Sequence, residues 1–473
     1  MEKIFLDKLH HILPQINADA QNASLPIAEV LAAHQQPAVT SIRYNPLKCP
    51  PDNSLRPVPW CAATARYMPQ RPLFTADPLF HAGAYYVQEA SSMLISQAFR
   101  QLVDTAHASL RVLDLCAAPG GKSTLLASLL KEDDLLVANE VIQNRAAILS
   151  ENLSRWGQMN TWVTNNDPRE IGKLHNYFDV MLVDAPCTGS GLWRKDPKAI
   201  GEWSAAHVKL CSERQKRILN DALPALKEGG LLIYATCSYS AEENEQMMQW
   251  LLAQNLVPEK LALATDWHIA TSAVGRAEGY HCYPWQLDGE GFFMTVFRKK
   301  PSTENGLPEL KEPRQNKDRR RDAEKKTSKG KSQNADLWRP WLSIPTETIE
   351  KGEGYYAIHP AHKWDYRMLG EALRIKKTGT ALGRIAGKDA LPDQELAWSV
   401  YLHKEVAQIP LSKDEALMFL KKEEVRKDNA VKGWQLATFE GLGLGWGKWL
   451  PNRMNNYLPK NLRIRMDLSN VEE

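Results

Sequence analysis

The sequence predicts an α/β fold built on a mostly parallel, doubly wound sheet of the Rossmann-like class. An N-terminal α+β domain precedes it and a small β-rich region follows. Three observations carry this expectation. Between about 110 and 300, short β-rich runs alternate with amphipathic helical stretches, the pattern of βαβ units. A glycine turn, D-L-C-A-A-P-G-G-K from Asp114 to Lys122, closes one such run and opens a helix. After residue 300 the chain becomes strongly basic, then turns globular again near Leu337.

Taken in order, residues 1–105 read as helix, loop and mixed structure, punctuated by prolines from Pro46 to Pro72. Residues 106–300 supply the sheet. Its strands are expected at Arg111–Leu115, Leu135–Asn139, Thr161–Asn165, Asp179–Val183 and Leu231–Ala235. Helices are expected at Lys122–Leu130, Gln143–Arg155 and Ser212–Leu226, and Phe292–Lys299 is expected to pair antiparallel at the sheet edge. Residues 301–335 form a basic linker that includes Lys311, Arg314, Lys317, Arg319, Arg320 and Arg321. A small intermediate domain, 336–390, and a β-domain, 391–473, complete the chain. The latter holds the glycine-rich run Gly441–Lys448.

Composition sets limits. A chain of 473 residues exceeds one ordinary core, and 43% apolar residues allow several. A formal net charge of +3 does not announce a nucleic-acid binder, so local clustering must do so. Seven cysteines, without C-x-x-C spacing, argue against a disulfide framework or a zinc site and for a reduced, cytoplasmic protein. The first residues carry no signal-peptide core, and no 18-residue apolar stretch occurs. No heptad seam is visible, so a monomer is expected.

The turn Cys116-Ala117-Ala118-Pro119-Gly120-Gly121-Lys122 has the character of a ligand cradle. Glycines admit close backbone approach, and a helix N-terminus offers free N–H groups. It is not a Walker A loop, because Cys116 stands where the first glycine belongs, and it is not a strict G-x-G-x-x-G. S-adenosylmethionine is the ligand that remains, with a nicotinamide cofactor as the alternative. Glu140, just past the second strand, is placed to accept ribose hydroxyls, and Asp167, past the third, to hold the adenine amino group.

Two cysteines end neighbouring strands: Cys187 in V-D-A-P-C and Cys237 in Y-A-T-C. A thiol beside a methyl donor suits one difficult reaction. Cytosine C5 is a poor nucleophile until a thiolate adds to C6, and a carboxyl group near N3 must stabilise the charge. Cys237, Asp184 and the glycine turn meet these needs at one sheet edge. Spacing does not decide which cysteine attacks. Cys49, Cys61, Cys211 and Cys282 read as core residues, and Cys116 as packing beneath the turn.

These motifs resemble the NOL1/NOP2/Sun family of RNA (cytosine-5) methyltransferases over residues 25–300. The likeness lies in R-Y-N-P-L-K (Arg43–Lys48), Y-V-Q-E-A-S-S-M (Tyr86–Met93), the Cys116–Lys122 turn, D-A-P-C-T-G-S-G (Asp184–Gly191), R-K-D-P (Arg194–Pro197) and T-C-S (Thr236–Ser238). The resemblance implies a class I methyltransferase sheet with Cys237 as nucleophile and Cys187 assisting product release. It implies S-adenosylmethionine contacts at Cys116–Lys122, Glu140, Asp167 and Asp184, with Asp184 also facing the base. H-C-Y-P-W and D-G-E-G-F-F (His281–Phe293), with a PUA-like C-terminal extension, resemble the bacterial small-subunit ribosomal RNA methyltransferase F group. That group methylates one decoding-region cytosine of 16S rRNA on the assembled small ribosomal subunit.

Arg43, Lys48, Arg194, Lys195, the basic linker and Lys448 are the candidates for phosphate contact, and Trp193 for base stacking. Other readings stand beside this one. An exocyclic amino methyltransferase would leave Cys237 without a role. The same chemistry on tRNA or 23S rRNA would change only the substrate. A non-catalytic RNA-binding assembly factor would not need an intact cofactor turn.

Overall fold

The structure is a computed structural model that describes residues 7–9, 27–106, 108–301, 337–387, 389–426, 432–450 and 453–467. The expected basic linker lies outside the described residues, apart from Pro301. Three strands, β1 (Ser41–Tyr44), β2 (Ala65–Tyr67) and β3 (Tyr85–Val87), form an N-terminal antiparallel sheet with β1 in the middle. Nine follow: β4 (Arg111–Asp114), β5 (Leu135–Asn139), β6 (Thr161–Thr164), β7 (Phe178–Asp184), β8 (Leu226–Thr236), β9 (Leu256–Glu259), β10 (Ala270–Val274), β11 (Ala277–Cys282) and β12 (Phe292–Lys299). The C-terminal part supplies β13 (Glu347–Lys351), β14 (Gly354–Ile358), β15 (Ile375–Lys377), β16 (Thr380–Ala386) and β17 (Asp389–Pro392), then β18 (Gln408–Pro410), β19 (Gly433–Phe439), β20 (Leu442–Leu450) and β21 (Arg453–Asn456).

The central sheet has ten strands in the order β10-β11-β12-β8-β7-β4-β5-β6-β15, with β9 also on β12. Strands β8, β7, β4, β5 and β6 run parallel. Their apolar residues alternate between two cores, as the two-residue period requires. Leu113, Val137, Met181, Val183, Leu232 and Tyr234 meet helices Ala205–Ala222 and Glu245–Leu252 on one face. Val112, Leu136, Leu182, Ile233 and Ala235 meet helices Ile95–Leu102 and Gly121–Ala127 on the other. After β6 the chain crosses back to place β7 on the far side of β4. That reversal makes the β4/β7 junction the topological switch point, where α/β sheets bind ligands outside the strand carboxyl ends.

Three expectations change. The helix expected at Ser212–Leu226 runs over Ala205–Ala222, because the Ser204 hydroxyl accepts the His207 N–H and caps it about two turns earlier than the apolar spacing suggests. Strand β12 pairs antiparallel as expected but is not an edge, since β11 and β10 lie beyond it. The boundaries at 336 and 390 do not follow the packing. Strand β15 joins β6 in the central sheet, and one core holds Trp338 and Leu382 together with Leu396, Leu436 and Trp446. The β-rich tail is present. Strands β18–β21 form a four-stranded sheet, and the β19–β20 hairpin turns at Glu440 and Gly441, both at positive φ (48° and 78°), as a tight two-residue hairpin requires. No helix among the described residues is long and apolar enough to cross a membrane.

Candidate active site

Strand β4 delivers Asp114 to the switch point, and the chain then turns into helix Gly121–Ala127. Gly120 sits at φ +116°, a conformation that favours glycine. A Cβ on Gly121 would stand 3.3 Å from the Tyr86 ring. The turn is latched from outside: Arg145 Nη2 donates to the Ala118 carbonyl (2.7 Å) and Asn152 Nδ2 to that of Pro119 (2.8 Å). Asp114 is fully buried. Its Oδ2 accepts the Ser123 hydroxyl at 2.6 Å, while Oδ1 has no hydrogen-bond partner among the described residues. Burial pushes its pKa up to about 7.

A cavity of about 290 Å³ opens here, walled by the turn, Tyr86, Asp184, Lys195, Cys237 and Phe292. Lys122 Nζ bonds Asp184 Oδ2 at 2.7 Å. Burial alone would lower the Lys122 pKa, but the Asp184 carboxylate outweighs it and the net shift is upward. The cavity thus combines a cradle, an unpaired buried carboxyl oxygen and a charged pair, a donor set that fits a cationic nucleoside-type ligand.

Cys187 and Cys237 are both free, with their sulfurs 3.2 Å apart. They differ in access: Cys237 lines the cavity and Cys187 does not. The neighbouring Cys237 sulfur, and then burial, push the Cys187 thiol well up, which keeps it protonated at neutral pH. Burial and the nearby Asp114 do the same for Cys116.

Glu140 stands at the carboxyl end of β5, buried, with Oε1 accepting the Ile142 N–H at 2.8 Å and Oε2 lying 3.5 Å from Arg145. Asp167 is exposed and closes a capping box with Glu170 over the short helix Pro168–Gly172. Neither lines the cavity.

The proposed phosphate contacts divide. Arg43 is a correction: it is fully buried, stacks on Trp156, and donates to Gln88, Ser128, Gly121 and Thr124. It rivets the N-terminal sheet to helix Gly121–Ala127. Lys48 is a second. Its Nζ caps the Ala82 and Arg155 carbonyls (2.8 and 2.7 Å), and burial lowers its pKa to about 7. Arg194 is a third, since its side chain is 4% exposed and forks onto the buried Glu290. Trp193 is buried among Trp203 and Tyr239 and is not a stacking platform. Lys195 is exposed on the cavity wall. Lys448 is partly exposed, 5.6 Å from the centre of the Trp434 ring and 3.5 Å from Asp389.

Glu243, missed from sequence, is wholly buried and accepts from Thr188, Gln215 and Ser238. Its place in the acidic run E-E-N-E gave no sign of which carboxylate turns inward.

The chain matches known proteins in sequence and in fold. Residues 102–298 match the family described as 16S rRNA methyltransferase RsmB/F. Residues 3–90 match the N-terminal domain of 16S rRNA methyltransferase RsmF, and 406–464 the RsmF PUA domain. A ribosomal RNA small subunit methyltransferase F from Vibrio parahaemolyticus is 32% identical over 97% of this chain and 96% of its own length. One from Shewanella piezotolerans is 30% identical over 93% and 94%. The solved structure of PH0851 superposes with a TM-score of 0.50 at 25% identity, covering 57% of this chain and 62% of that one. The chain belongs to the ribosomal RNA small subunit methyltransferase F family.

Proposed function

We propose that this protein methylates C5 of one cytosine in the decoding region of 16S rRNA, on the assembled small subunit, through a covalent bond between Cys237 and C6. The observation that carries this reading is a single cavity walled by the glycine turn, the Lys122–Asp184 pair and Cys237. When bound, S-adenosylmethionine supplies an electrophilic methyl group. Residues Cys116–Lys122 would hold it, with Glu140 on the ribose side and Asp167 as the weaker candidate at the adenine.

The chain's own residues do the rest. Cys237 Sγ attacks C6 as thiolate. Asp184 passes a proton to N3, where negative charge would otherwise accumulate, and the Lys122 ammonium 2.7 Å away pairs with the carboxylate left behind. Cys187, a thiol 3.2 Å from the nucleophile, can protonate the sulfur as it departs. Lys195 at the rim and Lys448 in the tail serve the RNA backbone. The protein works as a monomer in the cytoplasm on a ribosomal RNA partner.

Bisulfite sequencing of RNA from cells with and without the protein tests the reaction and substrate together. One 16S cytosine is expected to lose protection. Loss at a tRNA or 23S site instead would move the substrate, and no change would refute the reading. Cys237→Ala should abolish methylation while S-adenosylmethionine binding survives in equilibrium dialysis.

A further inference from the structure

We propose that Glu243 is a positioning residue that fastens both cysteine loops to one carboxylate and thereby sets the step that releases the methylated base. This rests on the cysteine chemistry proposed above.

Strands β7 and β8 run in register up to Asp184 opposite Ala235, and the last ladder bond joins Ala185 N–H to the Ala235 carbonyl at 2.9 Å. Both thiols lie beyond that point, so the sheet itself does not fix their separation. Glu243 does. Its Oε1 accepts the Thr188 N–H (3.0 Å) and Gln215 Nε2 (3.1 Å), and its Oε2 accepts the Thr188 and Ser238 hydroxyls (2.5 and 2.6 Å). Thr188 follows Cys187 and Ser238 follows Cys237, so each loop is anchored one residue past its sulfur. Gln215 also donates to the Pro186 carbonyl at 3.1 Å, which ties the Cys187 loop a second time.

Four donors surround this carboxylate, and among the described residues no cation pairs with it. A carboxamide keeps this set, because its oxygen accepts from the Thr188 N–H and Gln215 while its N–H₂ donates to the two hydroxyls, each of which turns to accept. A methyl side chain at position 243 removes all four contacts. Other links across the loops remain: Gly191 N–H to the Cys237 carbonyl (2.9 Å) and Tyr239 N–H to Ser190 Oγ (2.8 Å). The fold should therefore survive while the sulfur spacing relaxes. Release is the step that needs both sulfurs. The C5 proton passes to water, its electron pair re-forms the C5–C6 double bond, and the C6–S bond breaks so that Cys237 leaves as a thiolate that takes a proton from Cys187, which recovers one from solvent. Attack on C6 needs Cys237 alone.

The test uses full-length Glu243→Ala with small subunits that lack the modification, and Glu243→Gln as the variant that should restore wild-type behaviour. Two rates are read: covalent adduct formation on gels in a single turnover, and steady-state turnover with labelled S-adenosylmethionine. Adduct formation is expected to stay within about 3-fold, while turnover falls on the order of 10–100-fold and adduct accumulates. In Glu243→Ala, parallel loss of both rates, or no loss, overturns the proposal, and so does a Glu243→Gln protein as slow as Glu243→Ala. Ser238→Ala removes one donor and keeps the carboxylate. It should show the same split in smaller measure, and a proportional loss there counts equally against the idea. If wild-type protein forms no adduct with RNA carrying 5-fluorocytosine, the underlying cysteine chemistry fails instead, which is a distinct result.

Discussion

Arg194 offers a sharp test of how the RNA site is built, because its sequence position suggests a phosphate contact and its geometry denies one. The guanidinium gives Nε to both Glu290 oxygens (3.0 and 3.2 Å) and Nη2 to Glu290 Oε1 and the Gly289 carbonyl (2.9 and 2.7 Å). Only 4% of the arginine side chain and 2% of the glutamate side chain reach solvent. Arg194→Gln would leave a buried carboxylate without its cation. Breaking a pair of this kind costs about 3–5 kcal/mol. Burial already pushes the Glu290 pKa up against the pull of Arg194. In the variant the carboxyl group escapes part of the penalty by taking a proton, so the cost shrinks at low pH and grows as pH rises. We expect about 3 kcal/mol at pH 8, near a hundredfold in the local opening equilibrium.

Hydrogen exchange over residues 188–196 and 286–293, with denaturant melts at pH 6 and 8, measures this. Glu290→Gln added to the variant should recover part of the loss, since no charge is then stranded. The salt dependence of RNA binding should match wild type for Arg194→Gln. For Lys195→Ala the slope should fall by about 0.7–0.9. An Arg194→Gln protein of unchanged stability with a reduced salt slope would refute the reasoning and return Arg194 to the RNA interface.

Asp184→Asn removes the ion-pair partner of Lys122 and the proton that the proposed mechanism passes to cytosine N3. Adduct formation should slow about 10–100-fold with S-adenosylmethionine affinity nearly kept, as dialysis would show. Asp114 has a folded pKa of about 7, above the ordinary carboxyl value. Its contribution to stability is complete below about pH 4 and lost as pH rises through 7. Asp114→Asn should flatten that part of the melting profile between pH 4 and 8, and an unchanged slope counts against the burial argument. The 3.2 Å sulfur pair should close to a disulfide under mild peroxide. Methylation would stop and return with dithiothreitol, and peptide mass spectrometry should find the Cys187–Cys237 link.

The parts of this molecule legible in its sequence are those with local chemistry. The five parallel strands appear as apolar runs because both faces are buried. The glycine turn shows because Gly120 needs positive φ. What failed was the fate of cations. Arg43, Lys48 and Arg194 read as surface charge, yet each is drawn inward by partners far along the chain: Gln88 and Thr124 for the first, Ala82 and Arg155 for the second, Glu290 for the third. Periodicity carries no information about such pairings. Asp167 shows the converse. Its sequence signal, an acid just past a strand, is equally that of a helix cap, and capping is what its carboxylate does.

The composition break after residue 300 suggests that the chain can be cut there without harm to the catalytic domain. Packing argues otherwise. Strand β15 covers the open edge of β6, with Ile375 opposite Thr164. Asp365, fully buried, accepts Arg111 Nε at 2.8 Å and the Tyr177 hydroxyl at 2.6 Å. Leu369 and Leu373 belong to the same core as Leu113 and Met181. Truncation after residue 336 would expose that core, leave Arg111 unpaired and uncover a sheet edge. Cofactor binding and RNA binding should therefore fall together, with aggregation in light scattering. A truncated protein that stays monomeric and binds S-adenosylmethionine normally would show that the sheet closes without β15. On the present geometry the sheet that presents Cys237 is finished by chain lying some 140 residues later, so the C-terminal part and the edge that carries Cys237 are built on one framework.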